Sequence, residues 1–152
     1  MVSISVVSAA DLKLEEIEEI GRLFQEWKKV EPNYRRFLLS NSYFVLARES
    51  GALVGGAQLT FADDPFCSLR WGLVEKIYVR SLYQRKGIAK EIMRNLMVQA
   101  EALGCSFVCL YTESWNKPAQ EMYERLGFVR HYSYFKTIRT WNEDGSIIRS
   151  LA

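Results

Sequence analysis

The stretch from Val79 to Leu103 limits this chain more than any other. A strand is expected to end at Val79, and an amphipathic helix to begin near Ala89. Between them lies a short basic loop with Gly87 at its turn. The first amides of a helix lack intrahelical acceptors, and the helix dipole is positive at that end. Such a loop offers N–H groups to an anion, with phosphate or pyrophosphate the obvious class. Gly87 lets the backbone approach a ligand with no Cβ in the way. Gln84, Arg85 and Lys86 add donors and positive charge. The spacing fits neither the P-loop, which ends in Gly-Lys-Ser/Thr, nor the dinucleotide fingerprint with its three spaced glycines.

The helix of this stretch carries one apolar stripe: Ala89, Ile92, Met93, Leu96, Met97, Ala100 and Leu103. Gly104 fits its stop. The strands flanking it are read as Trp71–Val79 and Ser106–Tyr111, both buried. A helix between two strands makes a right-handed βαβ unit, so these two strands should be parallel. Cys105 and Cys109 are expected as small buried hydrophobes.

Before this unit, Ile4–Val7 reads as a strand. Leu14, Ile17, Ile20, Phe24 and Trp27 recur at helical spacing, with Asp11 as N-cap. Pro32 breaks the pattern, and Asn33–Leu39 reads as a short second helix. Trp27, Tyr34 and Phe37 are expected in the core or on a groove wall. Tyr43–Arg48 and Ala52–Phe61 form a hairpin across Glu49-Ser50-Gly51. Gly55-Gly56 points to a bulge or a close approach. Residues 62–70 read as a loop. After the unit, Asn116 can cap a helix that carries Pro118 in its first turn and Gly127 past its end. Val129–Trp141 reads as one long strand containing His131, and Ser146–Leu151 as a closing strand.

The 152 residues suit a single domain over 1–152, mixed α and β in class. The net charge is +2, yet residues 1–75 hold 8 Lys and Arg against 11 Asp and Glu, and residues 76–152 hold 12 against 7. The basic half carries the proposed anion loop. This modest excess gives a nucleic-acid partner little support. The three cysteines make no CxxC pair and read as reduced thiols of a cytoplasmic protein. No signal peptide or membrane span is legible, so no membrane partner is expected. His131 is the sole histidine, so no His-based triad or metal site can be built within one chain, and no metal is expected.

Gln84-x-x-Gly87-x-Ala89 resembles the acyl-CoA signature of the GNAT acyltransferase superfamily. Asn116-x-x-Ala119-x-x-x-Tyr123-x-x-x-Gly127-Phe128 resembles its second signature. Ala89 stands where Gly is commoner, which the pattern allows. The resemblance is strongest from Leu73 to Phe128 and weak before Tyr43. It implies a strongly bent mixed sheet flanked by helices, with CoA bound where two parallel strands splay apart. By the same resemblance, Ile77 and Val79 would offer backbone groups to the pantetheine arm. Gln84 belongs to the cofactor loop, and the amides of Arg85, Lys86, Gly87, Ile88, Ala89 and Lys90 would bind the pyrophosphate. Asn116 would contact the cofactor, Tyr123 would face the sulfur, and Glu75 would deprotonate the amine.

The implied activity is N-acetyl transfer from acetyl-CoA to a primary amine, direct and without a covalent enzyme intermediate. The chemistry asks for a neutral amine, a polarised thioester carbonyl and an acid for the departing thiolate. A carboxylate serves as base if burial raises its pKa, and a tyrosine serves as acid. No metal is required. Bland readings stand beside these. Glu75 also reads as a structural carboxylate paired with an arginine, Tyr123 as a core aromatic, and Lys86 and Lys90 as solvated lysines. Glu113 and Trp115 follow a strand end, where ligands collect or loops pack. A non-catalytic acyl-CoA sensor or protein-interaction module is the alternative function, and a macromolecular amine an alternative acceptor. Glu26, Glu31, Asp63 and Asp64 would suit a cationic amine if they line the groove. Tyr132, Tyr134, Phe135 and Trp141 suggest either a homodimer surface or inward packing on the sheet.

Overall fold

The chain opens on a strand because Val2–Ser8 is rich in β-branched residues, and this β1 runs antiparallel to β2, Ser42–Glu49. A computed structural model describes residues 1–26 and 41–133, together with the backbone of two short strands, Arg139–Trp141 and Ile147–Arg149. The expected second helix, Trp27, Glu31, Tyr34 and Phe37 lie outside the described residues. The chain divides into two units, one containing Met1–Lys28 and Pro32–Tyr111 and the other Thr112–Ala152.

The first unit holds a five-stranded sheet in the order β1-β2-β3-β4-β5. Strand β3 spans Ala52–Asp64, β4 spans Leu69–Val79, and β5 spans Phe107–Leu110. Strands β1 to β4 pair antiparallel, and β5 runs parallel to β4 as the βαβ reading requires.

Helix α1, Leu14–Gln25, covers one face. Its Ile17, Ile20, Leu23 and Phe24 pack with Phe44, Leu46 and Leu53, and Tyr78 lies against this cluster. Asp11 does not cap it. Asp11 ends a 3-10 turn, Ala9–Asp11, and α1 begins after Lys13, whose N–H donates to the Glu16 carboxylate at 2.9 Å. Leu14 is consequently exposed. Helix α2, Ile88–Ala102, follows β4 and buries Ile88, Ile92, Met93, Leu96 and Ala100. Each of the larger side chains stabilises by about 1.5–3 kcal/mol on burial. Met97 turns outward, while Ile88 takes the inward place at the first turn. A Cβ on Gly55 would meet the Ile92 side chain at 3.3 Å, and one on Gly56 the Leu23 side chain at 3.5 Å. The two glycines thus face α2 and α1 respectively, and the sheet is sandwiched between the two helices.

The hairpin between β3 and β4 is longer than expected. Residues 62–64 and 69–70 belong to the strands, leaving Pro65–Ser68 as the turn. Asp63 and Arg70 pair across the strands, with Nε at 2.6 Å and Nη2 at 2.9 Å from the carboxylate. Asp64 accepts from the amides of Phe66 and Cys67 at 3.0 and 3.3 Å. Strand β5 is half-exposed rather than buried, because it ends the sheet and β4 is its one described neighbour. Cys105 and Cys109 are accordingly half-buried, and desolvation pushes both thiols up, away from the reactive thiolate.

In the second unit, helix α3 spans Lys117–Arg125. The expected long strand from Val129 is not formed over residues 129–133, and His131 lies there, exposed and outside any strand. The strand proper is β6, Arg139–Trp141, paired antiparallel with β7, Ile147–Arg149.

Candidate functional site

Strand β4 changes the way it faces part-way along its length. The carbonyl of Arg70 accepts from Ser106 N–H at 2.7 Å, on the β5 side. The amide of Arg80 donates to the Val54 carbonyl at 2.9 Å, on the β3 side. Backbone groups alternate sides along a strand, so two positions an even number apart should face the same way. They face opposite ways because one residue is inserted. The register identifies it: Gln58 pairs with Lys76 and Leu59 with Val74, leaving Glu75 without a partner. Glu75 is a β-bulge. Beyond it, Tyr78 faces β3, while the backbone groups of Ile77 and Val79 point away from β3.

On that side no described strand meets them. Strand β5 pairs with β4 only from Trp71 to Val74, and ends at Leu110. The edge of β4 from Ile77 to Val79 is therefore left with unpaired backbone groups, an arrangement that accepts an extended amide-bearing chain as an added strand. The Val79 carbonyl is partly spoken for, since Gln84 Nε2 donates to it at 2.8 Å.

The loop turns out of β4 through a 3-10 turn at Ser81–Tyr83, and Tyr83 N–H donates to the Arg80 carbonyl at 2.8 Å. Arg85 and Gly87 have φ of 61° and 80°. Gly87 is the N-cap of α2, and its carbonyl accepts from Glu91 N–H at 3.0 Å. Among the described residues, none of the amides from Arg85 to Lys90 makes a backbone hydrogen bond of ordinary distance and angle, although Gln84 and Arg85 lie in a turn that Lys86 N–H closes loosely. A Cβ built on Gly87 meets nothing within 4 Å, so the space before these amides is open. Gln84, Arg85, Lys86 and Lys90 are exposed, Ala89 is half-buried and Ile88 is buried. The Lys86 ammonium lies 5.3 Å from the Tyr83 ring centroid. Gln84 ties this loop to the strand rather than reaching outward.

Glu75 is exposed, and its carboxylate accepts from the Thr60 hydroxyl. Among the described residues it pairs with no arginine. The contact of Thr60 with Glu75 was not legible in the sequence. Its signal is the register across a bulge, which side-chain periodicity does not carry.

In the second unit, the Asn116 side chain caps α3, accepting from Ala119 N–H at 3.4 Å. Tyr123 is buried, with 7% of its surface exposed, and its ring meets Phe128 edge-on at 6.0 Å. Burial pushes its phenol above the ordinary 10.0, so the hydroxyl keeps its proton at neutral pH. The carbonyl of Glu113 accepts from Asn116 N–H and from Gln120 Nε2, and Trp115 is exposed rather than packed. The first unit and the second each carry part of the predicted set: Glu75, Ile77, Val79 and residues 84–90 in one, Asn116 and Tyr123 in the other.

Of the acids named as candidate amine ligands, the three described ones have partners within the protein. Asp63 and Asp64 serve the β3–β4 turn, and Glu26 pairs with Arg80 at 3.0 Å and accepts from the Tyr78 hydroxyl at 3.4 Å. Among the described residues, no three His, Cys, Asp or Glu side chains gather as a metal-binding group, and no helix is long and apolar enough to cross a membrane.

Residues 12–128 match the pattern described as the Acetyltransferase (GNAT) family. The chain belongs to this family. The GNAT chain is 34% identical over 97 residues to the uncharacterized N-acetyltransferase YjgM of Escherichia coli, covering 62% of itself and 54% of that protein. It is 37% identical over 67 residues to N-alpha-acetyltransferase 30 of Xenopus laevis, covering 44% of itself and 24% of that protein. It thus spans about a quarter to about half the length of these curated relatives. Among solved structures, a ribosomal-protein-alanine N-acetyltransferase from Brucella melitensis superimposes with a TM-score of 0.70 at 23% identity, over 90% of this chain and 98% of that one. AAC(6')-Iy in complex with the bisubstrate analogue CoA-S-monomethyl-acetylneamine gives 0.69 at 17% identity, over 89% and 99%. These likenesses show the fold: a GNAT mixed sheet with helices on its faces.

Proposed function

We propose that this GNAT chain is an acetyl-CoA-dependent N-acetyltransferase that passes acetyl directly to a primary amine. The observation that carries the reading is the unpaired end of β4 running into a loop of open amides. An amide-bearing arm that ends in a pyrophosphate needs those two features in that order. The CoA analogue held by AAC(6')-Iy supports the same ligand class here.

In this reading Ile77 and the N–H of Val79 bind the pantetheine arm, and the amides of residues 85–90 bind the pyrophosphate. Gln84 keeps the loop against the strand, while Arg85, Lys86 and Lys90 supply positive charge. The bound thioester supplies the acyl group. Glu75 takes the proton from the amine, so that its lone pair is free to attack. The desolvation that strengthens a carboxylate base has to come from the bound substrates, because Glu75 is exposed in the free chain. Tyr123, protonated and buried, gives its proton to the departing thiolate. No covalent bond to the protein is needed. Asn116 orients α3 and, with it, Tyr123. In this reading the chain is a single acetyltransferase domain over 1–152.

The acceptor is a small-molecule or protein amine, and the enzyme a cytoplasmic homodimer without a nucleic-acid or membrane partner. The test is release of free CoA from acetyl-CoA across a panel of polyamines, amino acids, aminoglycosides and N-terminal peptides. Amine-dependent release is expected. CoA binding without release on any amine would make the chain a sensor instead.

A further inference from the structure

We propose that Thr60 is a positioning residue for Glu75, aiming the carboxylate. The inference rests on the reading of Glu75 as the base. Three features carry it. Glu75 is the extra residue of a bulge, so it lacks the cross-strand neighbour that orients an ordinary strand side chain. Its side chain is long and exposed, and among the described residues Thr60 is the group that holds it. Thr60 is β-branched and sits within β3, so its hydroxyl is fixed by a stiff χ1 on a rigid strand.

The direction of the hydrogen bond follows from the chemistry. An ionised carboxylate has no proton to give, so the hydroxyl donates. Thr60 thus fixes which lone pair of the carboxylate faces the amine.

The test uses the full chain. Thr60→Val removes the hydroxyl and keeps the shape. kcat/KM for the fastest amine of the panel should fall about tenfold through kcat. CoA affinity and the KM for the amine should be unchanged, and Thr60→Ser should restore kcat. In a Glu75→Gln background, Thr60→Val should cost nothing further. Wild-type kcat in Thr60→Val, or an equal loss with and without Glu75, overturns the role of Thr60 alone. A wild-type pH profile in Glu75→Gln overturns the base assignment and Thr60 with it. Thr60→Ala gives the same readings if Thr60→Val does not fold.

Discussion

Gln84 donates its side-chain amide to the carbonyl oxygen of Val79 at 2.8 Å, bridging the end of β4 to the loop that follows it. The bond closes the loop on the strand, so that the open edge and the open amides form one continuous surface. Gln84→Ala should leave β4 and α2 intact but release the loop, so CoA must then order it on binding. A neutral hydrogen bond contributes about 0.5–1.5 kcal/mol, so CoA affinity should fall about threefold to tenfold. Gln84→Glu, which lacks the donor, should behave alike or worse. Calorimetry on the two variants checks this, and affinity equal to wild type in both would reduce the bond to decoration.

Gly87 has two separable roles. Its φ of 80° strains any side chain, while nothing in the protein lies within 4 Å of an added Cβ. Gly87→Val should therefore fold with a stability loss of about 1–2 kcal/mol from the left-handed backbone. Its effect on CoA should be far larger, because the isopropyl group would occupy the space in front of the amides. Gly87→Asn, which tolerates the conformation better, should regain most of the stability but little of the affinity. Equal CoA affinity in all three proteins would move the pyrophosphate away from this loop.

Tyr123 and Glu75 should fail differently. Burial holds the Tyr123 phenol above its ordinary value, so it stays a proton donor throughout the working range. Tyr123→Phe keeps the ring against Phe128 and loses only the proton. Fold and CoA affinity should survive while kcat drops by about 10²–10⁴-fold, with no recovery at any pH. Glu75→Gln should recover in part at high pH, where the amine is neutral without help. Paired pH–rate profiles on one amine decide it. Near-wild-type kcat in Tyr123→Phe would leave that residue a packing role.

These predictions rest on features of unequal legibility. The apolar spacing of Ile92, Met93 and Leu96, ended by Gly104, was enough to place α2, and a helix between two strands was enough to make β4 and β5 parallel. Local propensity failed where a tertiary contact decides the boundary. Asp11 looked like a cap, but Lys13 and Glu16 close the helix end between them. Residues 62–64 looked like loop because two acids and a proline follow one another, yet Arg70 holds Asp63 across the strands. The bulge at Glu75 was invisible for a deeper reason. A bulge is a mismatch between two strands, and one strand's sequence does not state its register against the other. For the same reason the contact between Thr60 and Glu75 is not legible in either strand alone.

The pair of Glu19 and Arg48 ties α1 to β2 and gives the fold a pH signature. Two hydrogen bonds join them, at 2.9 and 2.5 Å, with side chains 32% and 25% exposed respectively. The hydrogen bond from Arg48 is the main cause that holds the Glu19 carboxyl below its ordinary 4.5, partly opposed by desolvation. A carboxylate lowered in the folded state binds its proton more readily when unfolded. The stability it contributes is thus complete above about pH 4.5 and fades as pH falls through the folded-state value. Part-exposed bidentate pairs contribute about 1 kcal/mol. Glu19→Gln should therefore be less stable than wild type by about that amount at neutral pH. The gap should close as acid protonates Glu19 in the wild type. Urea unfolding of both proteins from neutral pH into the acid range measures it. A gap that stays constant across the range would mean that Glu19 contributes packing or helix propensity instead of charge.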